Sequence, residues 1–313
     1  MAAIYSLFLF FFFFFFFITL LIILALIVRP RSVKIAIKSR HVFITGGSSG
    51  IGLALAHRAA AEGARVSILS RSAEKLDEAK RSVQLATGVE VATFSADIRD
   101  FDAVSKAVDE SGTIDVLIVN QGVFIGKELE KQSHEEVKLM IDVNLVGSFN
   151  VIIAALPAMK ASREGRGPAS ISLVSSQAGQ GLAQALQQEV ISDDIHVTLL
   201  FPPDTDTLKF QEEQKKRPEL TSIIAASSAS MKTKEVAKIC LDGIKAGKST
   251  VTCHFISFLL SIASAGMSPQ RSYWLAFIEI MFCGLIRLVS LVVQWQWYKT
   301  IEKWNTTKIS RSK

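Results

Sequence analysis

The sequence predicts a doubly wound, parallel α/β sheet held between an apolar N-terminal helix and a C-terminal apolar hairpin. Three observations carry this prediction. Short apolar runs alternate with helical patterns through the middle of the chain, and the first run opens into a glycine-rich turn. The apolar excess of the 313 residues, 49% hydrophobic with a mean hydropathy of +0.33, gathers at both ends.

The first element is residues 4–28, which carry no charge and include a phenylalanine-rich stretch over 8–17. At about 1.5 Å per residue such a helix crosses a hydrocarbon core of about 30 Å with some tilt. It lacks the basic leader and small-x-small cleavage site of a signal peptide, so residues 1–28 read as a retained anchor. The basic stretch 29–40 follows, with Arg29, Arg31, Lys34, Lys38 and Arg40. Positive charge after the span places the next domain, 41–250, on the cytosolic side.

That domain opens with His41-Val42-Phe43-Ile44 and runs into Thr45-Gly46-Gly47-Ser48-Ser49-Gly50-Ile51-Gly52. Leu53, Leu55, Ala56, Ala59 and Ala60 then keep helical spacing until Glu62-Gly63, and 66–69 reads as the next strand. This strand–turn–helix–strand order is the dinucleotide-binding βαβ unit of a Rossmann sheet. The glycines let the chain turn sharply and approach a pyrophosphate. The new helix offers unpaired N–H groups and its positive dipole end. After the second strand comes Ser70-Arg71, with Lys75 four residues on. An acidic residue there would bind the ribose 2′-hydroxyl of NAD, whereas arginine suits the 2′-phosphate of NADP.

Four more strands follow, each ending in polar residues. Residues 89–94 lead to Ala96-Asp97, 115–119 to Asn120-Gln121-Gly122, 170–174 to Ser175-Ser176, and 196–201 to Pro202-Pro203-Asp204. Ligands bind at the carboxyl ends of strands in open α/β sheets, so these ends are the candidate site.

The C-terminal element, 251–297, is apolar over 251–267 and 273–297, broken at Ser268-Pro269-Gln270-Arg271. Two readings stay open: two short full spans, or a shallow interfacial hairpin. Glu279 and Arg287 favour the second, unless they satisfy each other across one helical face. Trp295, Trp297 and Trp304 suit an interfacial belt, and the basic tail 298–313 is expected in the cytosol. The glycosylation signal at Asn305-Thr306-Thr307 should then stay bare.

The net charge of +6 does not point to nucleic acid, because the basic residues cluster beside the apolar ends. Cys240, Cys253 and Cys283 have neither CxxC spacing nor histidine partners, so free thiols are expected and no metal site.

The glycine-rich turn, Asp97, Asn120-x-Gly122, Asn144 and Ser175-Ser176 together resemble the short-chain dehydrogenases/reductases. The anchor, TGGSSGIG, SSQAGQ, ALQQEV, PPDTDT and the apolar C-terminus are similar to their 3-ketodihydrosphingosine (3-dehydrosphinganine) reductase subgroup, particularly the plant form. The resemblance implies reduction of a long-chain 3-keto sphingoid base with NADPH at the cytosolic face of the endoplasmic reticulum. It also leaves a homo-oligomer open. By the same resemblance Gly46, Ser48, Ser49, Gly50, Ile51 and Gly52 hold the pyrophosphate region. Arg71 and Lys75 take the 2′-phosphate, Asp97 contacts the adenine, and Asn120 lines the cleft. Ser176, or Ser175, hydrogen-bonds the substrate carbonyl, and Asn144 supports a proton-relay water.

One part of the pattern is missing. The family's proton donor is a tyrosine, with a lysine one helical turn on. Here no tyrosine lies between Tyr5 and Tyr273, and no lysine between Lys160 and Lys209. The family wording stops at Gln180 and resumes at Gly181, which reads as a lost segment rather than drift. His196 opens a strand and Lys209 lies beyond the next, so neither is expected to substitute. The helix left over 181–192 should be short and marginal, and Thr207-Leu208-Lys209 departs from the family's Thr-Pro-Gly. The literal chain is therefore expected to have negligible reductase activity. The alternatives are a non-catalytic NADPH-binding membrane protein that pairs with an intact paralogue, and a reductase for another membrane ketone such as a retinoid or steroid.

Overall fold

The computed structural model describes residues 1–28, 33–175, 180–225, 230–266, 268–270 and 272–311. Helix α1 (Ala2–Ile27) leads to strand β1 (His41–Thr45), α2 (Gly50–Ala61), β2 (Arg65–Ser70), α3 (Ala73–Thr87) and β3 (Val91–Ser95). Then come α4 (Phe101–Ser111), β4 (Val116–Val119), α5 (His134–Ile141), a π turn (Asp142–Val146), α6 (Gly147–Ala161), β5 (Ala169–Val174), α7 (Gln180–Val190) and β6 (Ile195–Phe201). β7 (Thr205–Asp206), α8 (Leu208–Lys216), α9 (Glu219–Ala225), β8 (Met231–Lys232), α10 (Thr233–Lys245), β9 (Thr250–Thr252), α11 (Phe255–Ala263) and α12 (Tyr273–Arg311) complete the described chain.

Seven strands form one parallel sheet in the order β3-β2-β1-β4-β5-β6-β9. The order reverses between β1 and β4, the switch point of a doubly wound sheet. β1 and β4 are buried on both faces, which is why they read as unbroken apolar runs. Ile44 and Ile68 face one core with Leu55 and Ala59 of α2, Val83 of α3 and Leu241 of α10. Phe43 and Leu117 face the other, with Val104 of α4, Val151 and Met159 of α6 and Leu186 of α7.

The crossover from β5 to β6 is short, yet the strands keep full register from Ala169↔Ile195 to Val174↔Leu200. Ala183, Leu186 and Val190 anchor α7 at helical spacing. The buried Gln187 carboxamide accepts from Val197 N–H at 2.8 Å. Gln180 and Gln184 tie the start of α7 to Ser268 Oγ at 3.2 and 2.6 Å.

The amino edge of the sheet is a polar clasp. Asp115 accepts from His41 N–H at 3.0 Å, Arg163 at 3.2 Å and Arg166 at 2.7 Å. The His41 ring lies 2.9 Å from Thr113 O through Nδ1 and 2.8 Å from Ser67 Oγ through Nε2. Burial lowers its pKa to about 4, so the ring is neutral at pH 7.

At the chain ends, α1 and α12 are long and apolar enough to cross a membrane, over Ile4–Ile27 and Tyr273–Trp304. They pack together, with the Phe17 and Phe277 rings 6.1 Å apart. A third stretch, His134–Ala161, meets the same length and composition test, but it is partly buried against the sheet and belongs to the α/β domain. The 251–267 run divides: Val251 is a buried strand residue, and α11 has only nine residues. At about 1.5 Å per residue α11 reaches about 14 Å, well short of a span. Of the two apolar runs, only the second, in α12, is long enough to cross. Glu279 accepts from Gln270 Nε2 at 2.7 Å. The proposed Glu279–Arg287 pairing is not formed among the described residues, because the preceding loop brings a nearer donor.

Candidate functional site

Because all seven strands run parallel, every strand-end motif arrives at the same sheet edge. The glycine-rich turn after β1, Arg71 after β2, Asp97 after β3, Asn120 and Gly122 after β4, and Ser175 after β5 therefore line one cleft. Ser176 lies outside the described residues, as do Arg29 and Arg31.

The turn is shaped by two glycines in the left-handed region, Gly46 at φ +62° and Gly50 at φ +56°. Gly52 serves a different need. A Cβ there would lie 2.3 Å from Gly46 O and 2.5 Å from Asn120 Nδ2, so only glycine lets α2 pack on the turn. The first intrahelical bond of α2 is donated by Leu53 to Ser49 O, which leaves the Gly50, Ile51 and Gly52 amides ahead of the ladder. Ser49 is the N-cap residue but makes no side-chain cap, and Ser48 Oγ donates to Ser70 Oγ at 2.9 Å. Free amides, a close-approach backbone and a dipole end fit a pyrophosphate.

Arg71 and Lys75 are both exposed, and among the described residues neither side chain enters an ion pair. Ser72 caps α3 by accepting from Lys75 N–H at 3.3 Å, which holds both cations beside the end of β2. Asp97 behaves less simply than expected. Arg99 grips both its oxygens, at 2.7 Å to Oδ2 and 3.0 Å to Oδ1, and that pairing lowers the carboxyl pKa. Its carboxylate reaches the cleft already paired.

Asn120 holds the turn rather than only lining the cleft, since its Nδ2 donates to the carbonyls of Thr45 and Gly46. A network that sequence reading missed runs behind it. Thr45 Oγ1 donates to Gln121 Oε1, Gln121 Nε2 to Ser148 Oγ at 3.0 Å, and Ser148 Oγ to Asn144 O at 2.7 Å. Asn144 lies in the π turn, and its side chain zips onto Val123, accepting from N–H at 2.7 Å and donating to O at 2.8 Å. The only sequence signal for this network was the polar residue inside Asn120-x-Gly122.

Ser175 follows β5 at the edge, with its N–H bonded to Leu200 O at 3.0 Å. Between it and β6 the described chain holds only α7 and a short turn, without tyrosine or lysine. His196 stays at the opposite edge, 3.1 Å from Asp194. Lys209 does not stay away. Its Nζ donates to Gly122 O, so the loop after β6 folds back over the cleft and brings it there. The expectation that Lys209 lies too far along the chain is corrected: separation in sequence hid adjacency at the sheet edge.

The pattern of the short-chain dehydrogenase family matches residues 40–181, ending one residue past Gln180. Two 3-dehydrosphinganine reductases of Arabidopsis thaliana are similar along their length. One is 79% identical over 322 residues, covering 97% of this chain and 96% of the relative. The other is 73% identical over 325 residues, covering 98% and 99%. Both alignments exceed the 313 residues of this chain, so each relative has residues without a counterpart here. A 3-dehydrosphinganine reductase of Danio rerio is 32% identical over 85% of this chain and 86% of its own. Among solved structures, a short-chain dehydrogenase from Sphingobium yanoikuyae in complex with NADPH superposes with a TM-score of 0.62 at 22% identity, over 73% of this chain and 94% of that one. This likeness bears on the fold alone. Sequence identity along nearly the whole chain places the protein in the 3-dehydrosphinganine reductase family of short-chain dehydrogenases/reductases.

Proposed function

We propose that this chain is the NADPH-binding, membrane-seated frame of a 3-ketodihydrosphingosine reductase, and that as it stands it holds cofactor with negligible turnover. The glycine cradle and the α2 amides support a nicotinamide dinucleotide, and Arg71 with Lys75 supports the 2′-phosphorylated form. The apolar helices α1 and α12 suit a long-chain lipid substrate at the cytosolic face of the endoplasmic reticulum. When bound, NADPH supplies a hydride to the 3-keto carbon, and the carbonyl oxygen then needs a proton to become the alcohol of dihydrosphingosine. Ser175, which follows β5 at the sheet edge, is assigned to hydrogen-bond that oxygen, with Ser176 as the alternative the resemblance offers, and Asn144 borders the same cleft. Neither serine hydroxyl is an effective acid at neutral pH. The observation that carries the reading is the passage from Ser175 to β6 without a tyrosine or lysine. Loss of general acid catalysis costs about 10²–10⁴-fold.

A second reading is favoured by α5 and α6. Ile141, Leu145, Phe149 and Ile153 are all exposed at four-residue spacing along one flank. Such a stripe suits pairing with another copy or with an intact relative, in which this chain would be the silent partner.

The test is restoration. Inserting between Gln180 and Gly181 a helical segment that carries a tyrosine and, one turn on, a lysine should raise turnover by at least about 100-fold. NADPH affinity should change far less. An inserted chain that folds, binds NADPH and stays silent would overturn the proposal.

A further inference from the structure

Lys209 stands where the family tends to have a glycine, and the reaction described above gives it no task. Its placement is set by the loop that carries it. Thr207 lies directly over the glycine-rich turn, since a Cβ on Gly50 would sit 3.2 Å from Thr207 Cγ2. The Thr207 hydroxyl accepts from Phe210 N–H at 3.0 Å and starts α8 there, which leaves Lys209 as the second residue of the helix. From that position the side chain crosses the cleft and its Nζ donates to Gly122 O, beyond the end of β4. A Cβ on Gly122 would lie 3.5 Å from Asn144 Oδ1, so this is the wall that also carries Asn144.

The charge at this point is unbalanced. An ammonium has three donors, and Gly122 takes one. Among the described residues no carboxylate forms an ion pair with Lys209. Glu213, one turn along α8, and Arg71 act on it only at longer range. The residue is exposed overall, yet desolvation of its ammonium lowers its pKa. Thr207 of the same loop rests against Gly50, which heads the unladdered amides of Gly50, Ile51 and Gly52. Two electropositive groups thus face one gap, and an anion between them would satisfy both. Arg71 and Lys75 belong to a different element, the end of β2 and the start of α3.

We propose that Lys209 is a cofactor-binding residue of this chain whose ammonium takes the diphosphate of the bound dinucleotide, leaving the 2′-phosphate to Arg71 and Lys75. This rests on the dinucleotide reading of the cleft. It makes Lys209 an acquired cation in a site that has lost its usual lysine.

Calorimetric titration of the full chain in detergent separates the two phosphates. ADP carries the diphosphate alone, and adenosine 2′-monophosphate the 2′-phosphate alone. Lys209→Gln should weaken NADPH and ADP about tenfold and leave adenosine 2′-monophosphate unchanged, while Lys209→Arg retains ADP binding. Arg71→Ala should do the reverse, weakening adenosine 2′-monophosphate and sparing ADP. Unchanged ADP affinity in Lys209→Gln overturns the proposal. Tighter ADP binding overturns it too, because Lys209 would then be blocking the cleft. If the unmodified chain binds none of the three nucleotides, the dinucleotide reading itself fails, and Lys209 with it.

Discussion

Asn120 Nδ2 donates to the carbonyl oxygens of Thr45 and Gly46, at 3.3 and 3.2 Å, and so fastens the end of β4 to the glycine-rich turn. Asn120→Ala removes both of these bonds from a partly buried site, at a cost of about 1–2 kcal/mol. The expected result is a lower unfolding temperature together with weaker NADPH binding. A variant that loses neither would show that the turn holds its shape unaided.

Gly52 tests the same turn from the helix side. In Gly52→Ala the methyl group would meet Gly46 O at 2.3 Å, which is backbone and yields poorly. Overpacking of this kind costs about 1–3 kcal/mol. The displaced turn should bind NADPH at least about tenfold more weakly. Binding within twofold of the unmodified chain would contradict the close-packing account.

The amino edge predicts an acid-sensitive step in stability. The unfolded chain protonates His41 near its ordinary pKa of 6.5, but the folded chain only near 4. The unfolded state therefore binds more protons between those values, and stability falls as pH drops through that window. The full contribution is present above pH 6.5 and amounts to about 3 kcal/mol. Asp115 acts lower. Burial pushes its carboxyl up, but bonds from Arg166, His41 N–H and Arg163 outweigh this and leave it below the ordinary range. Its contribution is lost only in stronger acid. His41→Gln should flatten most of the slope between pH 4 and 6.5 in thermal unfolding; His57, lowered by burial and Lys234, leaves a remainder. An undiminished slope in His41→Gln would contradict this assignment.

Asn305 reports the side of the membrane reached by the end of α12. Lys299, Lys303, Lys308, Arg311 and Lys313 flank the glycosylation signal and favour the cytosol. Translation with microsomes should give a chain whose mobility endoglycosidase does not change. A shift abolished by Asn305→Gln would place this tail in the lumen, with α12 crossing fully.

The parts legible in the sequence were those written locally. β1, the turn and α2 occupy adjacent residues, and their alternation of apolar run, glycines and helical spacing needs no distant partner. The positions of Arg71 and Lys75, after β2 and at the start of α3, were legible for the same reason, because a strand end fixes where its next residues go. What stayed hidden depended on tertiary meetings. Lys209 and Gly122 are 87 residues apart, and only the parallel sheet brings the ends of β4 and β6 to one edge. The Thr45–Gln121–Ser148 network joins three elements, each with an unremarkable polar residue. At the C-terminus, hydrophobicity alone did not separate Val251, a strand residue in the sheet, from the apolar stretch that follows it.

The central claim is that the cofactor site is intact and the acid is missing, and one paired measurement on the purified full chain tests it. NADPH affinity and NADPH oxidation with 3-ketodihydrosphingosine are read in the same detergent sample, beside the 79% identical Arabidopsis relative. The predicted result is NADPH binding comparable to that of the relative, with turnover lower by at least about 100-fold. Turnover close to that of the relative, or no NADPH binding at all, would contradict the account.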